Sequence, residues 1–321
     1  MPPPLTFVRA AETWVPSADG ARLVPAPNSF GARKRLEGLG RTEGFRRGEG
    51  LPGRAWEEGR PVLMRELDPA YFQRVAAAEE AGVSCAIAVP VFLSGTLKAV
   101  LVIFCGHVAE RPNALELWHA DAELTSDMTL VDGAYGSGSQ AFEAASRTTV
   151  LARGDGLPGM AWQRGEIQFV EDLSASAQQF ARAEQAGAVG MQRGLAIPFG
   201  SRSEGGYVVA LLAGTALPLS LAVERWDPDS SKHKMLRTYA FSERHGGRSK
   251  AQAELPLGTD GAAHGVIGTA YTSGVPTISD NPANEPGPVA EMASAVGATA
   301  IVAIPVVWGG SLIRGAVTLY L

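Results

Sequence analysis

The chain repeats itself. The string Gly48-Glu49-Gly50-Leu51-Pro52-Gly53-Arg54-Ala55-Trp56-Glu57-Glu58-Gly59 returns as Gly154-Asp155-Gly156-Leu157-Pro158-Gly159-Met160-Ala161-Trp162-Gln163-Arg164-Gly165, with Gly159 lying 106 residues after Gly53. A third, more diverged copy follows at Gly268, Tyr271 and Gly274. The register holds on both sides of this block. Trp14, Trp118 and Trp226 each open a copy, and Pro90, Pro198 and Pro305 each sit in an Ala-x-Pro step near its end. A chain of 321 residues therefore has to build one kind of unit three times, each of about 105 residues. The boundaries fall at residues 1–108, 109–217 and 218–321, the last unit being the most diverged.

One unit reads physically as strand, strand, helix, strand, helix, strand, strand. The opening tryptophan lies in a strand followed by Asp19-Gly20, a pair suited to the positive φ of a hairpin turn. In the repeated block Pro52 suits a first helical turn, and Gly59 suits a left-handed stop. Gly53 and Trp56 share one face of that helix, as do Gly159 and Trp162. A second helix is expected from Asp68 to Gly82, with counterparts from about Ser174 to Ala186 and Glu285 to Val296. Two apolar strands close each unit. The order implies an α+β fold, an antiparallel sheet with short helices packed on it.

These residues resemble the GAF domain in all three copies, and more loosely the GAF-like nitrate-sensing regions of plant transcription regulators. The motif positions are Gly53, Trp56, Gly59 and Pro90, then Gly159, Trp162, Gly165 and Pro198, then Gly268, Tyr271, Gly274 and Pro305. The resemblance implies a small-molecule-binding regulatory module with its pocket between sheet and helices. It also implies long flanking helices that carry a signal, and here the sequence departs from the pattern. Only Cys105 to Ala114 separates the closing strand of the first unit from the next, and Pro112 interrupts it. With the whole chain assigned to repeats, a sensor of this kind is expected to signal by docking to a partner or by self-association.

Candidate ligand contacts are Phe72 with Arg74 and Phe180 with Arg182, an aromatic and a guanidinium placed where a pocket mouth would hold an anion, and Asp280 with Asn284 in the third unit. The repeated tryptophans are expected to fill cores. Cys85 and Cys105 form no C-x-x-C pair, and the five histidines have no metal-ligand spacing, so no metal, cofactor or catalytic residue is expected. A net charge of −5 gives no basic footprint for nucleic acid, and no long apolar run suits a membrane span. Two cysteines without a disulfide framework point to a reducing compartment, so the cytoplasm is the expected one. The leading reading is a noncatalytic, ligand-binding regulatory protein. The alternatives are a scaffold of degenerate units without a ligand, and a thiol-dependent enzyme similar to the free methionine sulfoxide reductases.

Overall fold

In a computed structural model, residues 5–31, 44–69, 72, 75–121, 127–175, 180–200, 205–248, 253–257 and 265–321 are described. The first elements are β1 (Val8–Pro16), β2 (Leu23–Gly31), α1 (Gly50–Glu58), β3 (Val62–Met64), α2 (Val75–Glu80), β4 (Cys85–Leu93) and β5 (Thr96–Cys105). They form a five-stranded sheet in the order β2-β1-β5-β4-β3 with antiparallel pairing throughout.

The chain continues with β6 (Asn113–Ala120), β7 (Met128–Tyr135), α3 (Gln140–Thr148), β8 (Val150–Leu151), α4 (Gly156–Arg164), β9 (Gln168–Val170), α5 (Ala183–Val189), β10 (Arg193–Gly200) and β11 (Gly206–Ala213). After these come β12 (Ala222–Pro228), β13 (Lys234–Ser242), β14 (Gly246–Arg248), β15 (Glu254–Pro256), α6 (Gly265–Ser273), β16 (Thr277–Ser279), a 3₁₀ turn (Pro282–Asn284), α7 (Gly287–Val296), β17 (Ile301–Trp308) and β18 (Leu312–Tyr320). These strands make two antiparallel arrays, one running β7-β6-β11-β10-β9 and the other β13-β12-β18-β17-β16. A single parallel pairing, Gly200 opposite Trp308, joins the two at β10 and β17. Short additions extend their outer edges.

Local sequence explains the joints. Ser17 to Arg22 closes the first hairpin, with the Ser17 amide donating to the Arg22 carbonyl and Gly20 at φ 68°. Both GLPG helices end on a left-handed glycine, Gly59 and Gly165. Gly53 and Gly159 answer a different demand, because a Cβ at Gly53 would collide with the Arg46 carbonyl oxygen and one at Gly159 would lie 2.8 Å from that of Ala152. The helix leans directly on the backbone of the preceding loop. The repeated prolines also have a place. β3 covers β4 only through Ala88, β9 covers β10 through Ala196 and β16 covers β17 through Ala303. Pro90, Pro198 and Pro305 each stand two residues beyond, where the short edge strand has ended and a missing N–H costs least.

The second helices are shorter than expected. α2 starts at Val75, α5 at Ala183 and α7 at Gly287. In the second unit, Leu173 to Ala175 is held instead in a turn by the Asp172 side chain, which accepts from the Ser174 amide. The periodicity of the sequence gives no sign of α3. This helix packs Phe142 and Ser146 inward while Glu143 and Arg147 pair on its outer side.

Each array buries both faces. One face carries the helices: Ala86, Ala88, Val100 and Phe104 in the first, Ala196, Val208 and Leu212 in the second, Ala303, Ala316 and Tyr320 in the third. The alternating residues turn the other way and meet in one common cluster. Ile87, Leu101 and Ile103 there join Leu195, Ile197 and Leu211 from the second array and Val302, Ile304 and Leu319 from the third. Strand alternation thus sends every second side chain of the closing strands into a core that all three arrays share. Arg193 with Glu243, and Arg225 with Glu166, tie the second array to the third around its rim.

The close approach at α1 generates a sharp expectation. Helix propensity alone favours alanine over glycine by about 0.5–1 kcal/mol, yet Gly53→Ala should lower the unfolding free energy because its methyl group meets backbone. Urea titration followed by circular dichroism reads the sign, and a gain in stability would contradict the packing.

Candidate functional site

Three buried carboxylates stand at equivalent places on the helix-facing side of the arrays. Glu12, Glu116 and Glu224 each lie two residues before an opening tryptophan, hence on the same face of the strand. All three are at most 1% exposed. In each case the tryptophan indole Nε1–H donates to the carboxylate, at 3.2, 2.9 and 3.0 Å for Trp14, Trp118 and Trp226. The tryptophans themselves are wholly buried, as expected of core residues.

In the second array the carboxylate is saturated. Arg182 donates to both oxygens of Glu116, Nη1 to Oε1 at 2.6 Å and Nη2 to Oε2 at 2.9 Å, and the Tyr135 hydroxyl adds a bond at 2.9 Å. The guanidinium also donates to Ser146 Oγ on α3. Its carbon lies 4.7–4.9 Å from the ring centres of Trp118, Phe142 and Phe180. Phe180 and Arg182, predicted at a pocket mouth, are therefore in the interior, 1% and 2% exposed. The anion that Arg182 grips is the protein's own Glu116. Burial works to raise the Glu116 pKa, and the Arg182 charge and hydrogen bonds outweigh it and hold the carboxyl below its usual value.

Glu224 solves the same problem differently. It accepts from the Tyr320 hydroxyl at 2.6 Å, from Trp226, and from Arg237 Nη1 at 2.6 Å, the arginine now coming from β13 rather than from a helix. Here burial prevails and raises the pKa. Beside this pair a cavity of about 210 Å³ opens between β13 and α7. Arg237, Phe241, Ser242, His245, Glu291 and Met292 line it. The Ser242 hydroxyl and His245 Nδ1 are 3.1 Å apart at its edge. Asp280 and Asn284, the expected contacts of this unit, lie elsewhere, exposed on the turn that precedes α7. The carboxylate that reaches the helix region is Glu285, which accepts from the Val266 amide at the start of α6.

In the first array Phe72 is buried against Phe104, and Arg74 lies outside the described residues. An apolar cavity of about 330 Å³ opens where the three closing hairpins converge, walled by Pro90, Phe92, Phe199, Tyr207, Pro305 and Val307.

The two cysteines occupy the other side of the first sheet. They stand directly opposite one another, Cys85 on β4 and Cys105 on β5, both wholly buried in the shared core. Cys85 Sγ is 3.6 Å from His107 Nε2, and His107 Nδ1 bonds to the Asn113 carboxamide oxygen. Hydrogen bonding from Cys105, opposed by burial and helped by His107, brings the Cys85 thiol down to about 6. Among the described residues no group of three His, Cys, Asp or Glu could hold a metal ion, and no helix is long and apolar enough to cross a membrane.

Sequence reasoning passed over the carboxylates and the Cys85–His107–Asn113 row. The first had a visible signal, since Glu-x-Trp occurs at the same register in all three copies and puts a charge inside an apolar strand. The second had none, because hairpin register alone brings residues 85 and 107 together.

The family model of the GAF domain matches residues 8–122. No curated protein matches the chain. Similar solved structures include the free methionine-R-sulfoxide reductase from Neisseria meningitidis in complex with its substrate, at 23% identity and TM-score 0.25, covering 32% of this chain and 54% of that one. A structure of the GAF domain has 18% identity and TM-score 0.24 over 32% of this chain and 51% of its own. The A. Aeolicus nlh2 GAF domain in an inactive state has 20% identity and TM-score 0.25 over 32% and 60%. This chain thus spans between half and three-fifths of the length of those structures.

Arg182→Ala would strand a buried carboxylate, and removal of one partner from such a pair costs about 3–5 kcal/mol. The wild-type pair, with Glu116 depressed, contributes fully above the ordinary carboxylate range and fades as pH falls through the folded value. In the variant, burial is opposed only by hydrogen bonds from neutral partners such as Trp118, so the Glu116 pKa rises from its wild-type value and protonation relieves the strain. Denaturant titrations at pH 7 and pH 4.5 should therefore show a deficit that shrinks on acidification; a deficit independent of pH would contradict the assignment.

Proposed function

We propose that the chain is a noncatalytic regulatory protein of three GAF-like units, residues 1–108, 109–217 and 218–321, that binds a small polar molecule and acts by docking to a partner. The observation that carries the reading is the cavity between β13 and α7. It lies at a helix–sheet interface, where a GAF-like pocket is expected, and it combines Arg237, His245 and Glu291 with the apolar walls of Phe241 and Met292. At about 210 Å³ it is smaller than the roughly 300–1,000 Å³ of a drug-sized site. That favours an amino acid or an inorganic anion such as nitrate over a nucleotide. Glu291 on α7 supplies an acceptor across the cavity from Arg237, whose Nη1 is already held by Glu224.

The recurrence of one strand order in the three arrays and the match of residues 8–122 to the GAF domain support the domain assignment. The second unit supports the scaffold alternative for itself, since the Arg182–Glu116 pair and its aromatic cage fill the space a ligand would take. A methionine sulfoxide reductase receives less support: both sulfurs face the shared core rather than the helix side, and a substrate of that size would have to part the arrays to reach them.

Thermal-shift screening with amino acids, nitrate and nucleotides tests the reading. A binder at a hundred times its Kd should add about 2.7 kcal/mol to stability. Ala295→Phe, placed at the exposed rim of the cavity, should abolish that shift while leaving the melting temperature of the free protein unchanged. No shift with any ligand of these classes would favour the scaffold.

A further inference from the structure

The row Cys105, Cys85, His107, Asn113 has the parts of a thiol-oxidation site, and nothing in the ligand-binding reading uses it. Directly opposed residues of an antiparallel pair have Cα atoms about 4.5–5.5 Å apart, within the range a disulfide spans. Cys85 and Cys105 are such a pair, with side chains on the same face and Cys85 Sγ 3.9 Å from the Cys105 carbonyl oxygen. The Asn113 carboxamide fixes the histidine. Its Nδ2 donates to the Arg111 carbonyl at 2.8 Å, which turns Oδ1 toward His107, and an oxygen there accepts only from a protonated Nδ1. Nε2 is thereby left to exchange a proton with Cys85. The backbone amide of His107 also donates to Ser84 Oγ, which pins the loop to the start of β4.

We infer that Cys85 and Cys105 form a hydroperoxide-reactive pair, Cys85 the attacking thiolate, His107 its proton partner and Cys105 the resolving thiol. The Cys85 thiolate attacks the distal oxygen of a hydroperoxide, the S–O bond forms as O–O breaks, and the alkoxide leaves with a proton from the His107 imidazolium. Cys85 is now a sulfenic acid, its sulfur oxidised by two electrons. The Cys105 sulfur then attacks it, S–S forms, S–O breaks, and hydroxide leaves as water with the Cys105 proton. Two thiols and one hydroperoxide thus give a disulfide, an alcohol and water.

The charges around the row suit this order of events. Burial and the neighbouring Cys85 raise the Cys105 pKa, against the Arg9 guanidinium on β1, so Cys105 keeps its proton while Cys85 is ionised. Burial lowers the His107 pKa, and the hydrogen bond and charge of Cys85, with Asn113, outweigh it to raise the value, which keeps a proton available. Both cysteines are buried, but they end their strands and the adjoining His107 is partly exposed. A small peroxide therefore needs only a local opening at the strand ends.

Hydrogen peroxide applied to the folded chain at pH 7 is the test. The intact mass should fall by about 2 Da, and a non-reducing digest should contain a Cys85–Cys105 linked peptide. Cys105→Ser should stop at a sulfenic acid on Cys85 that dimedone traps. Asn113→Ala should slow the wild-type reaction roughly tenfold or more at pH 7 and shift its pH midpoint upward, a readout that a purely structural asparagine would not move. Folding of each variant is checked by its melt, and the wild-type result stands without them. Thiols that stay unmodified until denaturant is added, oxygen adducts without the linked peptide, or dimedone capture at Cys105 in Cys85→Ser at the rate seen for Cys85 would each overturn the inference.

Discussion

The shared core sets the terms for everything else in this protein. A sheet that packs helices on one face and two other sheets on its back has no wet side, and its central strands must be apolar at every position. The closing strands meet that demand: Ala99 to Phe104 and Tyr207 to Ala213 run without a charge, and β17 has none from Ile301 to Trp308. Such continuous runs are what two-faced burial requires. They also explain why alanine is so frequent on the helix side, at Ala86, Ala88, Ala196 and Ala303. Small residues there let helices lie close to the sheet, while the large aliphatics go to the common core.

Against this apolar background the three Glu-x-Trp pairs stand out as the exception, and the protein treats Glu116 and Glu224 differently. Desolvating a carboxylate is expensive unless hydrogen bonds and an opposite charge replace water. Glu116 has a bidentate arginine inside an aromatic cage, and the charged form wins. Glu224 accepts from Arg237 and from the neutral donors Tyr320 and Trp226, burial outweighs them, and the proton is favoured more than usual. The difference maps onto the space nearby. Arg182 and the three rings around it fill the interior beside Glu116, and where Arg237 comes from a strand a cavity opens next to α7.

Much of this architecture could be read in the sequence, and the parts that could not share a cause. The hairpin at Asp19-Gly20, the glycine stops and the apolar closing strands are local in sequence, and each was legible from spacing. The function of Gly53 was half legible: its place on the helix could be read, but not the carbonyl of Arg46 against it. Arg182 was singled out as an anion contact for sound chemical reasons. Its true partner, Glu116, is 66 residues away, and no periodicity connects them. The same holds for Cys85 and His107. The short α3 was invisible because only Phe142 and Ser146 face inward, too few positions to establish a period. Least legible was the common core, since three copies of a unit say nothing about whether they stand as beads or lean together.

Whether the three arrays behave as one body is read most directly by calorimetry of the full chain. Arrays that pool Ile87, Ile197 and Ile304 in one cluster should melt as one body, giving a single endotherm whose van't Hoff and calorimetric enthalpies agree. Three separable transitions, each matching the melt of an isolated unit, would contradict it.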